Sequence, residues 1–376
     1  MKKIKIAHIL NSVGGVDVSL RLILENINPD VVDSFVIHGD NDTSKDFTNK
    51  RNEKVKDYQV PIQREINLLR DIDSIYKTIK ILKVEKPDLI HAHSAKGGII
   101  ARIASLFYKV QVLHTPQAYS YLSTDSKLKR FLFLGLERIF RSFNSVLLAS
   151  SNSELQRGIN EVGYKKLRTE LFNNSILPIK LKENNTNYPI TWPRSYICTV
   201  GRPSYQKNIE MMIEVLNEVR KKIPDIHLVL MGVGEYSPNL ENVKKLIKDN
   251  LLKENVTLVK WIDREEIFKI ISNSRLYIST ARYEGLPYSI IESIALSKAC
   301  VVTNCDGNRD LVIDGYNGFV IGENDISSMS DKIVEIYNND VLRLEMEKNS
   351  LDFFNDNFNI NVNIEKLEKK YQKYSI

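Results

Sequence analysis

Cysteine is scarce in this chain: Cys198, Cys300 and Cys305 are the three thiols among 376 residues. Their number is odd and their spacing fits neither a disulfide framework nor a metal site. Cys198 and Cys300 stand inside apolar runs, where a free thiol behaves as a small hydrophobe, and the pattern suits a reducing cytosol. Long apolar runs are lacking too. Residues 1–10 carry a short, interrupted apolar stretch with no cleavage-like site after it, which reads as a buried strand and not as an export signal. The most apolar helical segment, 131–140, contains Glu137 and Arg138 and falls far short of the roughly 20 residues that span a bilayer. The expected location is the cytoplasm, free or peripheral on the inner face of the membrane. Strong charge of one sign is also missing. A net charge of +6 comes without a zinc finger, recognition helix or aromatic-basic motif, so nucleic acid is not an expected partner. An anionic lipid or substrate uses such a surplus, as does a plainly solvated Lys-rich surface.

What is present is the composition of a soluble enzyme, 43% apolar and 27% charged, in a chain long enough for two domains. Strand-length apolar runs alternate with amphipathic helical segments throughout. The first half carries strands near 4–10, 34–39, 88–94, 110–115 and 145–151. The second carries them near 196–200, 227–231, 256–260, 276–280, 299–304 and 318–321. Runs of this kind separated by helices predict parallel sheets covered on both faces. Leu68, Ile72, Ile75, Ile79 and Leu82 step by three and four, predicting a helix with one buried stripe that ends before Pro87. Asp71 and Asp73 in that helix read as a solvated face. The polar, turn-rich stretch around 180–194 reads as a hinge. The expected domains are 1–182 and 190–354, with a helix over about 355–376 packing back on the first.

In open parallel sheets ligands bind outside the carboxyl ends of the strands, and four clusters fall there. Asn11-Ser12-Val13-Gly14-Gly15 lets backbone N–H groups and a helix start approach phosphate, or is a purely structural turn. Gly201-Arg202 with Lys207 offers a guanidinium fork and a mobile ammonium suited to a diphosphate, or a pair of solvated loop cations. Glu284-Gly285-Leu286-Pro287-Tyr288 with Glu292 puts one carboxylate before a helix and another nearly two turns along it, toward the same side. The fourth runs over 88–98, with His91, His93, Lys96 and two glycines, and leads on to His114-Thr115-Pro116-Gln117. His91 and His93 share a strand face, but the spacing supplies no third metal ligand.

Together these residues resemble the family 4 retaining glycosyltransferases, an α/β family of GT-B fold: two Rossmann-like, doubly wound domains with a cleft between them. Residues 283–292 match the family's E-x7-E signature. Stretches 299–304, 306–312 and 314–318 match the segment that continues the signature, Arg202 and Lys207 match the family's phosphate-binding pair, and 231–234 match its glycine turn. The first half is similar more loosely, through Gly14-Gly15, 91–98 and Thr115-Pro116, to members that build bacterial surface polysaccharides such as capsule or O-antigen. Those members carry His where this chain has Gln117, an amide that hydrogen-bonds but cannot serve as acid or base.

The resemblance implies a hexose or N-acetylhexosamine transferred from a nucleotide-diphosphate sugar, UDP being commonest among similar proteins, to a glycan or lipid-linked glycan acceptor. The nucleotide sugar is a co-substrate, and no cofactor or metal is expected. Arg202 and Lys207 would neutralise the diphosphate, Glu284 would hold the donor sugar, and Glu292 the ribose. Gly14, Gly15, Gly285, Leu286, Pro287 and Tyr288 would complete the donor site; His93, Lys96, His114 and Gln117 are the acceptor-side candidates. Lys127, Lys129, Arg130, Arg138 and Arg141 flank Leu128, Phe131, Leu132, Phe133, Leu134 and Ile139, a composition that suits an anionic bilayer or a core helix with a solvated basic face. The rival expectations are a nucleotide-sugar epimerase of similar architecture and a non-catalytic nucleotide-sugar-binding module.

Overall fold

The computed structural model describes residues 3–63, 65, 67–124, 126–181, 191–234 and 237–375. Their backbone tracks the apolar pattern closely. The first unit runs β1 (Ile4–Ile9), α1 (Gly15–Asn26), β2 (Val32–Gly39), β3 (Lys56–Val60), α2 (Leu68–Glu85), β4 (Leu89–His93), α3 (Ser94–Phe107), β5 (Val112–Thr115), α4 (Lys127–Phe140), β6 (Ser145–Ala149), α5 (Asn152–Arg157) and β7 (Thr169–Leu171). Its seven strands are parallel, in the order β3-β2-β1-β4-β5-β6-β7. Strands β4 and β6 are buried at every residue because helices cover both faces.

The second unit continues with β8 (Ile197–Val200), α6 (Ile209–Arg220), β9 (Leu228–Val233), α7 (Leu240–Asp249), β10 (Val256–Lys260), α8 (Arg264–Asn273), β11 (Leu276–Ser279), α9 (Tyr288–Ala295), β12 (Cys300–Thr303), α10 (Asn308–Leu311), β13 (Gly318–Ile321), α11 (Ile326–Asn338) and α12 (Asp340–Asn357). Its sheet is parallel in the order β10-β9-β8-β11-β12-β13. Cys198 lies in β8 and Cys300 in β12, and all three thiols are free and buried.

The last helix, α13 (Ile360–Tyr374), returns to the first unit. Ile360, Ile364, Leu367 and Tyr371 join Ile6, Leu89, Leu113 and Leu148 in one apolar cluster. Glu170 of β7 receives Lys370 Nζ at 2.6 Å and Lys373 Nζ at 2.7 Å. By contact the compact units are Met1–Ile176 with Asn359–Ile376, and Leu177–Phe358. Residues 182–190 of the expected hinge lie outside the described residues.

Two helices differ in part from their expected faces. In α2 the buried side chains are Ser74, Thr78 and Leu82, while Leu68 and Ile72 are 74% and 64% exposed. Ile75, Ile79 and Leu82 of the expected stripe pack on the core as expected, with Ser74 and Thr78 buried beside them, so only the first turn of the stripe, Leu68 and Ile72, is left outside. Asp71, expected to be solvated, receives Lys96 Nζ at 2.7 and 2.8 Å. In α4 the one fully buried residue is Glu137, paired with the buried Arg102 of α3. Leu128, Phe131, Leu132 and Ile139 point outward, each more than half exposed. The core-helix expectation holds for one side of α4, where Phe133 and Leu134 pack on the cluster of Tyr119, Tyr121 and Leu147 beside the ion pair, while the apolar residues of the other side are open.

Candidate active site

The order of the second sheet places β8 beside β11, although they are not consecutive in the chain. From β8 the chain moves outward to β9 and β10, then returns to the other side of β8 with β11. Loops leaving neighbouring strands at such a reversal diverge and leave a crevice at the carboxyl edge. The loop after β8 carries Gly201, Arg202, Gln206 and Lys207; the loop after β11 carries Glu284 and Gly285. Both therefore emerge where a ligand site belongs.

These loops are joined by hydrogen bonds. Thr280 Oγ1 donates to the carbonyls of Lys207 and Asn208, at 3.1 and 2.8 Å. The Arg282 N–H donates to Gln206 O at 2.8 Å, and Arg282 Nη1 to Tyr205 O at 2.6 Å. Gln206 Nε2 donates to Tyr283 O at 3.2 Å and to Glu284 Oε2 at 3.1 Å. Lys207 Nζ lies 2.7 Å from Glu284 Oε1. Burial works to lower the Lys207 pKa, but the Glu284 carboxylate outweighs it and the net direction is upward. The ammonium is thus firmly charged. Arg202 is exposed and makes no hydrogen bond or ion pair among the described residues, so its five donors face solvent.

Pro287 caps α9 at φ −71°, the pre-set geometry of a helix start. Leu286 and Pro287 are buried and Tyr288 opens the helix, whose start presents N–H groups and a positive dipole end. The turn at Gly285 is held from behind by Gly307. A Cβ there would sit 2.7 Å from Gly285 O, and φ is +77°, so only glycine fits. Glu292 on α9 is buried and paired with Arg264, the first residue of α8. Burial raises the Glu292 pKa, and Arg264 offsets part of that rise.

The first unit has the same kind of reversal between β1 and β4. Gly14 caps α1 at φ +62° and Gly15 opens it. This turn is fixed by Asp42, whose Oδ2 accepts from the N–H groups of Ser12 (2.6 Å) and Gly39 (2.8 Å). His38 Nδ1 lies 2.7 Å from the other oxygen, Oδ1. Ser94 after β4, and Gln117 and Ala118 after β5, hold φ of +65°, +53° and +77°. Three non-glycine residues in left-handed geometry at one sheet edge store backbone strain, which clusters at ligand sites. Glu154 supports the last of them, accepting from Ala118 N at 2.9 Å and Ser150 N at 2.7 Å. Both polar side-chain atoms of Gln117 are buried without a partner among the described residues.

Not all acceptor-side candidates are accessible. His114 is fully buried against Gly98, its Nε2 3.2 Å from Ser94 O. His93 is buried in a stack with His8 and His91. Lys96 is committed to Asp71. Of the four, Gln117 itself holds left-handed backbone and has both side-chain polar atoms unpaired; His93 Nδ1 and His114 Nδ1 also lack a partner among the described residues, but both rings are fully buried. The third imidazole missing from the sequence is His8 of β1, in register with His91 of β4. Ligand atoms of His8, His91 and His93 lie within 4.8 Å of one another. Their rings are engaged, however: His8 Nδ1 with His93 Nε2 at 3.2 Å, and His91 with Tyr371 Oη at 2.6 Å and Thr115 Oγ1 at 2.9 Å. Burial pushes all three pKa values down, so the stack is neutral. It ties β1 and β4 to α13. Sequence reasoning also missed Gln206, Arg264, Thr280 and Glu154, because each acts by touching a residue far away in the chain.

Two family models divide the chain between them. Residues 13–176 match Glycosyltransferase Family 4, and residues 183–352 match Glycosyl transferases group 1. An Escherichia coli protein, UDP-Gal:alpha-D-GlcNAc-diphosphoundecaprenol alpha-1,3-galactosyltransferase, is 29% identical over 98% of this chain and 97% of its own. The capsular polysaccharide biosynthesis glycosyltransferase CapM of Staphylococcus aureus is 22% identical over 100% and 98%. Among solved structures, sucrose-phosphate synthase from Thermosynechococcus elongatus superposes with a TM-score of 0.82 at 17% identity, covering 99% of both chains. Anabaena HepE in complex with UDP-glucose gives 0.76 at 17% identity, covering 98% of this chain and 99% of that one. Two parallel Rossmann-like sheets of GT-B type, one matched family model on each unit and relatives aligned nearly end to end lead to one assignment: the chain belongs to the family 4 glycosyltransferases.

Proposed function

We propose that this glycosyltransferase moves a hexose or N-acetylhexosamine, with retention and without a metal, from a UDP-sugar to a lipid-linked glycan acceptor in surface polysaccharide synthesis. The observation that carries the donor half is the stitched junction of the β8 and β11 loops, with Arg202 open to solvent and Lys207 held against Glu284. As the glycosidic bond breaks, negative charge grows on the leaving diphosphate. Fixed cations and a helix start aimed at that charge stabilise the transition state more than the ground state. Arg202, Lys207 and the first turn of α9 supply both, in the place a divalent ion takes in other transferases. Glu284 accepts hydroxyls of the donor sugar and Glu292 those of the ribose. Retention comes from attack on the face the diphosphate leaves, with the leaving phosphate taking the acceptor's proton, and no protein nucleophile is needed.

Support for the acceptor is of two kinds. The E. coli relative's name specifies UDP-Gal and a diphosphoundecaprenol-linked sugar, and CapM belongs to capsule synthesis. The chain itself carries α4, with Leu128, Phe131, Leu132 and Ile139 exposed among Lys127, Lys129, Arg130 and Arg138. No helix among the described residues is long and apolar enough to cross a membrane, so contact with an anionic inner leaflet is peripheral, through this face. Calorimetric titration with UDP, GDP, ADP and CMP in EDTA tests the donor half. Binding of UDP without metal is the expected result; a folded protein that binds none of the four has lost the reading.

A further inference from the structure

Glu284 is held by two partners of different character. Its Oε1 faces the Lys207 ammonium at 2.7 Å, and its Oε2 accepts from the neutral Gln206 amide at 3.1 Å. Gln206 is fixed independently of Lys207, because its Nε2 also donates to Tyr283 O at 3.2 Å and its carbonyl accepts the Arg282 N–H at 2.8 Å. The Glu284 side chain is only 9% exposed against 23% for Lys207, so water does little to compensate the carboxylate if the ammonium turns away. We infer that Lys207, Glu284 and Gln206 together select a nucleotide sugar over the bare nucleoside diphosphate, with Gln206 as the positioning residue that keeps Glu284 in place when Lys207 leaves it. This rests on the donor-binding reading proposed above.

The selection comes from charge and hydrogen-bond count. When a diphosphate arrives, Lys207 turns from Glu284 toward phosphate oxygens. With a nucleotide sugar, a sugar hydroxyl donates to Glu284 Oε1 in its place, and the phosphate carrying the sugar has a single negative charge. A nucleoside diphosphate brings no hydroxyl there, and its terminal phosphate carries nearly a second charge at neutral pH. It leaves a desolvated carboxylate with one neutral partner and a like charge close by. The substrate repairs the site it opens, and the product does not. Product is thereby expelled while donor is retained.

The test measures the affinity of the full-length protein for UDP, UDP-glucose and UDP-galactose by calorimetry. The parent is expected to bind one UDP-sugar more tightly than UDP. Glu284→Gln removes the charge at nearly unchanged shape, and it should tighten UDP about tenfold while weakening the preferred UDP-sugar. Gln206→Ala should raise KM for the donor about threefold or more with kcat little changed, and should weaken UDP at least as much, because Gln206 is the partner that UDP leaves to Glu284. Equal weakening of UDP and UDP-sugar by Glu284→Gln, or an unchanged donor KM in Gln206→Ala, would overturn the inference while leaving the donor site standing. A folded parent that binds none of the three probes takes the donor-site reading down, and this inference with it.

Discussion

Glu137 Oε2 accepts from Arg102 Nη1 at 2.9 Å, with the two side chains 4% and 0% exposed. This pair fastens α4 to α3, on the side of α4 opposite its exposed apolar residues. Removing one partner strands the other as a buried charge, so Glu137→Ala should cost about 3–5 kcal/mol of stability, read from urea unfolding. Replacing both with apolar side chains of similar size, Arg102→Met with Glu137→Leu, should recover most of that loss. A double variant as unstable as the single one would show that the pair does more than dock the helix.

Arg202 and Lys207 should separate by their structural load. Among the described residues Arg202 makes no hydrogen bond or ion pair, so Arg202→Ala should lower turnover about 10²–10³-fold with an unchanged melting temperature. Lys207→Ala should lose turnover similarly and melt earlier as well, because it leaves Glu284 buried without its cation. Normal turnover in either variant would remove that residue from the mechanism.

Nucleotide affinity should depend on pH through Glu292. Burial raises its pKa above the usual carboxylate range, and Arg264 offsets part of the rise. Ribose hydroxyls donate to the ionised form, so affinity should fall as pH drops through that raised pKa. Arg264→Ala should shift the fall to higher pH, and Glu292→Gln should flatten it. The stability effect has the opposite sense: the folded state holds the Glu292 proton more tightly than the unfolded one, so stability declines as pH rises through the same window. Affinity that is insensitive to pH in the parent would place Glu292 outside the site.

Acid should release α13. Burial works to raise the Glu170 pKa, but hydrogen bonds from Lys370, Lys373 and Tyr374 prevail and hold it at about 2. A depressed carboxylate contributes its full stability above its unfolded pKa and loses it as pH falls toward the folded one. Glu170→Gln should therefore flatten that part of the acid unfolding curve, monitored by circular dichroism. An unchanged curve would mean that Glu170 does not anchor the helix.

Co-sedimentation with anionic vesicles tests α4. The parent should pellet with them, less so at high salt, and the triple reversal Lys127→Glu, Lys129→Glu, Arg130→Glu should abolish binding without unfolding the protein. A parent that stays in the supernatant rejects the membrane contact.

The inner strands were legible in the sequence because a parallel strand covered on both faces is apolar at nearly every position, whereas the edge strands β3 and β7 were missed because their residues are largely polar and only partly buried. Arg202, Lys207, Glu284 and Glu292 stood out as candidates because each lies just after a strand or on the helix that opens there, and the structure places them at the carboxyl edge of the second sheet. What else stayed hidden depended on partners across the fold. Ser74 and Thr78 are buried in α2 beside Ile75, Ile79 and Leu82, a share of the packed face that a hydrophobic period does not register. His8 becomes the third imidazole only once β1 lies in register with β4. Arg264 and Gln206 look like ordinary polar positions until Glu292 and Glu284 are placed beside them.

The return of α13 to the first unit sets an order of events during synthesis. Ile364, Leu367 and Tyr371 cover an apolar face of a sheet whose strands were translated far earlier. At about 5–20 residues per second, the nascent first unit waits on the order of ten seconds or more for its last helix. Throughout that interval Ile6, Leu113 and Leu148 lack their cover, while the second unit, Leu177–Phe358, is being made. The part of the chain made first is thus the part finished last, and a protein shortened before α13 carries its defect in the N-terminal unit.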